Sequence, residues 1–343
     1  MAYKHVLTKE ELRYRQSLPL SIKERMSLER IREFCNMYGV DGVYVSFSGG
    51  LDSLVTLHLS RRFDSNIKGV FIDTWLEHPE IRKFVRCFSN IDVIKPEKDL
   101  KTIVNQDGWC FPSKDISEAI ESYRLGKKWA VNKLNGLDKN GNPSKYRERY
   151  KKWLYVAENC PEKISHRCCL DSKEIPVRKY EKRTGRNPIM GLRAEESARR
   201  TESYLRTGCL SFSKRPVCKP LGFWTKQDVL EYIVKYKIPF ASPYGSIIID
   251  GQLPGQVNLF DLVNLNCSSC YGCKYRTSGE ERTGCVFCPV GYHLQKEKFN
   301  RLRAYNPKLY DYCMEELGEK RLFEWVDKPV SYTHLRAHET AAN

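Results

Sequence analysis

The residues of this 343-residue chain best suited to chemistry are one hexapeptide and a set of cysteines. Ser48, Gly49, Gly50, Leu51, Asp52 and Ser53 follow a short β-branched and aromatic run, VYVSF at 43–47, and lead into the apolar run LVTLHL. A glycine pair between a strand and a helix lets the backbone turn tightly. Successive N–H groups and the positive end of the helix then face a phosphate. Ser48 and Ser53 add hydroxyl donors. A carboxylate beside phosphates repels them, so Asp52 is assigned to capping the helix or to helping hold Mg²⁺. No lysine follows a second glycine, so this is not a Walker loop. A plain strand-to-helix turn would account for a stray Ser-Gly-Gly; the strand before it and the helix after it favour a phosphate loop.

The cysteines number 14. Cys168 and Cys169 are adjacent, Cys285 and Cys288 form a CxxC, and Cys267, Cys270 and Cys273 form a CxxCxxC run. In a reducing compartment such clusters bind metal or react more often than they cross-link. The spacing leaves the metal open. Cys267-x2-Cys270 and Cys285-x2-Cys288 are close to a zinc-ribbon pattern, whereas CxxCxxC with Cys288 before Pro289 is similar to ferredoxin spacing. Seven thiols exceed the ligands of one cluster. Cys35, Cys87 and Cys313 lie among helical apolar residues and read as buried hydrophobes. Cys110, Cys160, Cys209 and Cys218 receive no assignment.

The elements that must position these groups form a soluble, basic chain. It is 41% hydrophobic and 29% charged, and its 58 Lys and Arg against 42 Asp and Glu give a net charge of +16, which draws polyanions without naming one. No apolar run reaches membrane-spanning length, and the polar N-terminus lacks a signal peptide's apolar stretch; both point to a cytoplasmic address and no membrane partner. Strands are expected at 43–47, 70–73, 91–94 and 188–192, separated by helical stretches, as a doubly wound, mostly parallel α/β sheet requires. Thr225 and Asp228 have the form of a capping box that opens a helix.

The domain reading is a helical segment at 1–40 and a nucleotide-binding α/β domain at 41–260. A basic insertion interrupts that domain at about 101–160, and a cysteine-rich, helical region follows at 261–329. Within the insertion, residues 124–152 carry ten Lys or Arg against two acids. The final stretch, VSYTHLRAHET at 330–340, resembles a translated sequencing adapter and is set apart with the residues after it as an artefact tail.

SFSGGLDS at 46–53 resembles the PP-loop of the ATP pyrophosphatase and phosphoadenosine phosphosulfate (PAPS) reductase superfamily. FIDTWLEHPEI at 71–81 is similar to that family's second motif, usually DTG followed by an acid and PE, with Trp75 in place of the common glycine. Leu51 stands where many relatives have lysine. HRCCLDSKEIP resembles the reductases' paired-cysteine motif, MGLRAEESARR their arginine motif, and PLGFWTKQDVLEYI the helix that follows. The similarity spans most of residues 10–315.

The resemblance implies an adenine nucleotide alpha hydrolase-like fold with a helical, cysteine-rich C-terminal part. It implies an adenylyl nucleotide (ATP, APS or PAPS) held by Ser48, Gly49, Gly50, Asp52, Ser53, Asp73, Thr74, Arg193, Arg199 and Arg200. It further implies a [4Fe–4S] cluster on Cys168, Cys169, Cys285 and Cys288, with Cys267, Cys270 and Cys273 as alternative ligands and Zn²⁺ as the alternative metal. The family's nucleophilic thiol lies near the C-terminus in a GLH-like motif without a match here, so the catalytic residue is unassigned.

The expected function is sulfur transfer or sulfonucleotide reduction, with an electron donor or sulfur carrier protein as partner. The alternative is ATP-dependent sulfur modification of nucleic acid, by DNA phosphorothioation or tRNA thiolation. It is motivated by the basic insertion, where Tyr123, Trp129, Tyr146, Tyr150 and Trp153 are interleaved as stacking groups. A third reading is a non-catalytic nucleotide-binding subunit.

Overall fold

The computed structural model describes residues 7–249, 275–292 and 296–327. The central sheet has six strands: β1 Val43–Ser46, β2 Lys68–Ile72, β3 Ile91–Ile94, β4 Asn187–Met190, β5 Leu210–Ser211 and β6 Val217–Cys218. Their order is β3-β2-β1-β4-β6-β5, and every pairing is parallel except that of β5 with β6. The chain winds outward from β1 to β3 and then returns to the other side of β1 with β4. That reversal between β1 and β4 is the position where open α/β sheets form ligand crevices. Register runs from Tyr44↔Lys68 to Ser46↔Val70 on one side of β1, and from Val43↔Asn187 to Ser46↔Met190 on the other.

Val43, Tyr44 and Val45 are all buried, as expected of a parallel strand covered on both faces. The Leu51–Phe63 helix buries Leu54, Val55, Leu57 and Leu59, and the Leu20–Tyr38 helix buries Ile31 and Phe34 in the same core. The expected capping box closes the Lys226–Lys235 helix: the Asp228 amide donates to Thr225 Oγ1 at 3.2 Å and the Thr225 amide to Asp228 Oδ2 at 2.6 Å. Asp228 also receives Lys23 Nζ at 2.7 Å in a buried pair. A separate antiparallel pair joins β7, Ile247–Ile249, to β8, Tyr275–Thr277.

By its internal contacts the chain divides into two units, Met1–Lys95 with Pro176–Cys285, which contains the sheet, and Pro96–Ile175 with Val286–Asn343. Residues 101–160 fall within the second unit. Its helices include Leu100–Asp107, Lys114–Arg124, Lys128–Leu134 and Arg147–Asn159, around a core holding Phe111, Ile120, Leu134 and Phe323.

Trp153 belongs to that core, 4% exposed with its ring 6.0 Å from that of Phe111, so it is not a stacking surface. Helical spacing had not shown which face of Arg147–Asn159 turns inward. Tyr123 and Tyr150 direct their hydroxyls to Glu158 and Asp115. Trp129 and Tyr146 are exposed. Among the described residues no helix is long and apolar enough to cross a membrane.

Candidate nucleotide site

The hexapeptide lies where its sequence context placed it, between β1 and the Leu51–Phe63 helix. Gly49 takes φ of +75°, and a Cβ there would lie 2.7 Å from Ile81 Cγ2 and 3.1 Å from Val85 Cγ2. Only glycine meets both the backbone conformation and the close approach. Gly50 is the residue before the first helical turn and has no side chain with which to cap it; the Leu51 amide instead faces the Tyr244 hydroxyl. The serines close the loop on themselves: Ser48 N donates to Ser53 Oγ at 3.1 Å, and Ser53 Oγ donates to the Gly50 carbonyl at 2.8 Å. The first N–H groups of a 13-residue helix and the loop amides thus share one edge of the sheet, an arrangement that attracts anions.

Asp52 does not cap the helix. Its Oδ1 accepts from Arg193 Nε at 2.6 Å, across 141 residues of sequence. Arg193 follows β4 and is buried; its Nη1 donates to Glu195 Oε2 at 2.6 Å and its amide to Glu196 Oε1 at 3.1 Å. Burial pushes the Asp52 carboxyl above its ordinary range, Glu196 adds to that, and Arg193 and Arg200 pull against it. Burial opposes the charge on Arg193, yet Asp52, Glu196 and Glu195 outweigh it and hold the guanidinium more firmly protonated than usual. A permanent cation therefore stands beside the loop on a fixed tether.

Gly191 permits this contact, because a Cβ there would lie 2.6 Å from both the Asp52 carbonyl and Thr56 Oγ1. Arg200 pairs with Glu196. Arg199 is exposed and, among the described residues, forms no ion pair.

Asp73 and Thr74 follow β2 and are buried, but their side chains serve their own turn. Asp73 takes a two-pronged contact from Arg82, at 2.7 and 2.9 Å, and Thr74 Oγ1 donates to Glu77 Oε1 at 2.7 Å. Burial raises the Asp73 carboxyl; Arg82, through hydrogen bonds and charge, outweighs it and holds the group below its usual range. The Pro79–Val85 helix that carries Arg82 also supplies Ile81 and Val85 against Gly49.

Sequence reasoning missed Gly191, Glu195 and Glu196, although Gly191 directly after a strand was a readable signal. It also missed Tyr244, whose hydroxyl lies 2.7 Å from Thr283 Oγ1 and 3.2 Å from where a Gly50 Cβ would be.

Cys168, Cys169, Cys285 and Cys288 are half-buried. Among the described residues no three His, Cys, Asp or Glu side chains come together to hold a metal ion. Cys267, Cys270 and Cys273 lie outside the described residues. Cys35 and Cys313 are buried as expected; Cys87 is exposed instead, on the rim after the Pro79–Val85 helix, with its thiol 3.5 Å from the Lys83 carbonyl.

None of the curated proteins matches the chain. The crystal structure of phosphoadenylyl-sulfate (PAPS) reductase from Candida auris, a phosphate complex, is similar at 16% identity, covering 69% of this chain and 90% of that one with a TM-score of 0.37. The phosphoadenosine phosphosulfate reductase domain matches residues 42–289, well over half of the sequence and the whole of the loop, arginine and sheet region described above. The chain belongs to the phosphoadenosine phosphosulfate reductase domain family, and is an enzyme of that reductase-like kind.

Proposed function

We propose that the chain binds an adenylyl nucleotide (ATP, APS or PAPS) on the loop at 48–53 and carries out sulfonucleotide reduction or sulfur transfer. The observation that carries this reading is Arg193, tethered by Asp52 beside the N-terminal amides of the Leu51–Phe63 helix at the strand-order reversal. A guanidinium donates in forked geometry to sulfate or phosphate oxygens, and loop amides take the remaining charge. Ser48, Gly49, Gly50 and Ser53 would hold the phosphates, with Arg200 as a second cation nearby. Reduction of a sulfonucleotide to sulfite and nucleotide takes two electrons, which a donor protein must supply. No step is routed through an iron–sulfur cluster.

The test is sulfite release from PAPS and APS with a dithiol reductant present, alongside pyrophosphate release from ATP. Sulfite formation that fails in Arg193→Ala supports reduction. Pyrophosphate without sulfite assigns the sulfur-transfer branch. Neither product, with no nucleotide bound, removes the reading.

A nucleic-acid substrate is favoured by one observation. Trp129 and Tyr146 are exposed, with Lys133 and Lys145 amines 5.7 and 5.0 Å from their ring centres. A gel shift with single-stranded DNA or tRNA that weakens steeply with salt supports it. Its absence removes it.

A further inference from the structure

Beyond the ends of β2 and β3 lies a second cleft, about 390 Å³ in volume, that the loop reading does not use. It is lined by the apolar Phe71, Val85 and Val93 and by the polar or charged Asp73, Trp75, Arg82, Arg86 and Lys95. Asp73 is already neutralised by the fork of Arg82. Arg86 and Lys95 are exposed and form no ion pair with the described residues, so the lining carries an excess of positive charge.

Trp75 is the unusual member. Its φ is +64°, a left-handed conformation that glycine adopts freely and an indole-bearing residue rarely does. The ring gains no burial in return: it is 63% exposed. One face is covered by the Arg82 guanidinium, 3.8 Å from the ring centre, and the Lys95 amine stands 5.7 Å away. Packing does not explain a bulky aromatic held in solvent on a strained turn; an aromatic ligand does.

We propose that this cleft binds a nucleotide unit at a site separate from the phosphate loop, its base stacked on the indole of Trp75 and its phosphate on Arg86 and Lys95. The chemistry matches at each point. An indole face accepts any base, two unpaired cations suit a phosphate dianion, and the volume lies within the range of small-ligand pockets. The unit comes from a free mononucleotide or from a single nucleic-acid strand. The inference does not depend on the loop reading, although the two sites are neighbours: Val85 lines the cleft and also meets Gly49.

The experiment titrates the full chain with AMP and, separately, with a short fluorescent oligothymidylate, using wild type, Trp75→Gly, Arg86→Ala/Lys95→Ala and Ser48→Ala/Ser53→Ala. Trp75→Gly suits the observed backbone, so its fold is secure. Wild type is expected to bind two AMP per chain, with Trp75→Gly and the Arg86/Lys95 variant weakening one site about tenfold or more. The serine variant weakens the other. If only oligothymidylate binding falls in the two cleft variants, the unit belongs to a strand. If the cleft variants bind both probes as wild type does, the proposal is overturned. A single AMP lost alike from all variants also overturns it, because one ligand would then span both places. AMP binding that survives the serine variant and vanishes in Trp75→Gly upholds the cleft and rejects the loop reading instead.

Discussion

Arg193 is buried against three carboxylates, and its removal has two separable effects. Arg193→Ala should weaken adenylyl-nucleotide binding by about ten- to a hundredfold, since a hydrogen bond to a charged group contributes about 1.5–3 kcal/mol. Arg193→Lys keeps the charge but not the fork and should recover only part of it. Isothermal titration of both variants with AMP and adenosine 3′,5′-bisphosphate checks the order; equal affinities would take Arg193 out of the site.

Asp73 makes a pH-dependent prediction. Its folded pKa is depressed, so the stability it contributes is present above the unfolded value of about 3.9 and is lost as pH falls through the folded one. Thermal midpoints of wild type and Asp73→Asn should therefore differ at pH 7 and draw together as pH falls below the unfolded value of about 3.9. A gap that persists in acid would show that Arg82 is not the cause.

At the scale of elements, the strand, loop and helix at 43–63 carry the site, and Gly49 is where they meet the Pro79–Val85 helix. Gly49→Ala combines a left-handed backbone with a methyl 2.7 Å from Ile81, and should cost upwards of about 1–2 kcal/mol in urea unfolding. Lys23→Met leaves Asp228 buried without its cation, and a loss of about 3–5 kcal/mol is expected. A change below 1 kcal/mol by the same measurement, on the order of a surface pair, would contradict the burial.

These elements differ in how far they could be read from sequence. β1 and the capping box at Thr225 are local patterns, and both appear within a residue of expectation. β5 and β6 are two residues each, too short for any alternation to register. The Asp52–Arg193 contact joins residues 141 apart, so only the strand order brings it about. Asp52 reads locally as a helix cap or a Mg²⁺ partner because a carboxylate repels phosphate, and nothing near it in sequence points to an arginine. Trp75 stood out only as a departure from a glycine, and the strain it carries needed the backbone to be seen.

Over the whole molecule the cysteines divide by surroundings. Burial pushes the thiols of Cys35, Cys110 and Cys209 up to about 11, with neighbouring charges as the smaller influence, so they stay protonated at neutral pH. Cys87 is exposed. Brief iodoacetamide treatment of the folded protein at pH 7, read by peptide mass spectrometry, should label Cys87 ahead of those three. Early labelling of Cys110 would mean that the second unit opens readily.

The sheet also ends in a particular way. Among the described residues β3 at one margin has four residues and β5 at the other has two, the latter running against its neighbour β6. Unpaired margins are templates on which a foreign strand can grow, and templates this brief offer too few backbone partners to hold one. Together with a charge of +16, that brevity sets copies of the chain against fibrous stacking, even though the buried strands at the centre of the sheet are themselves rich in the residues that such stacking prefers.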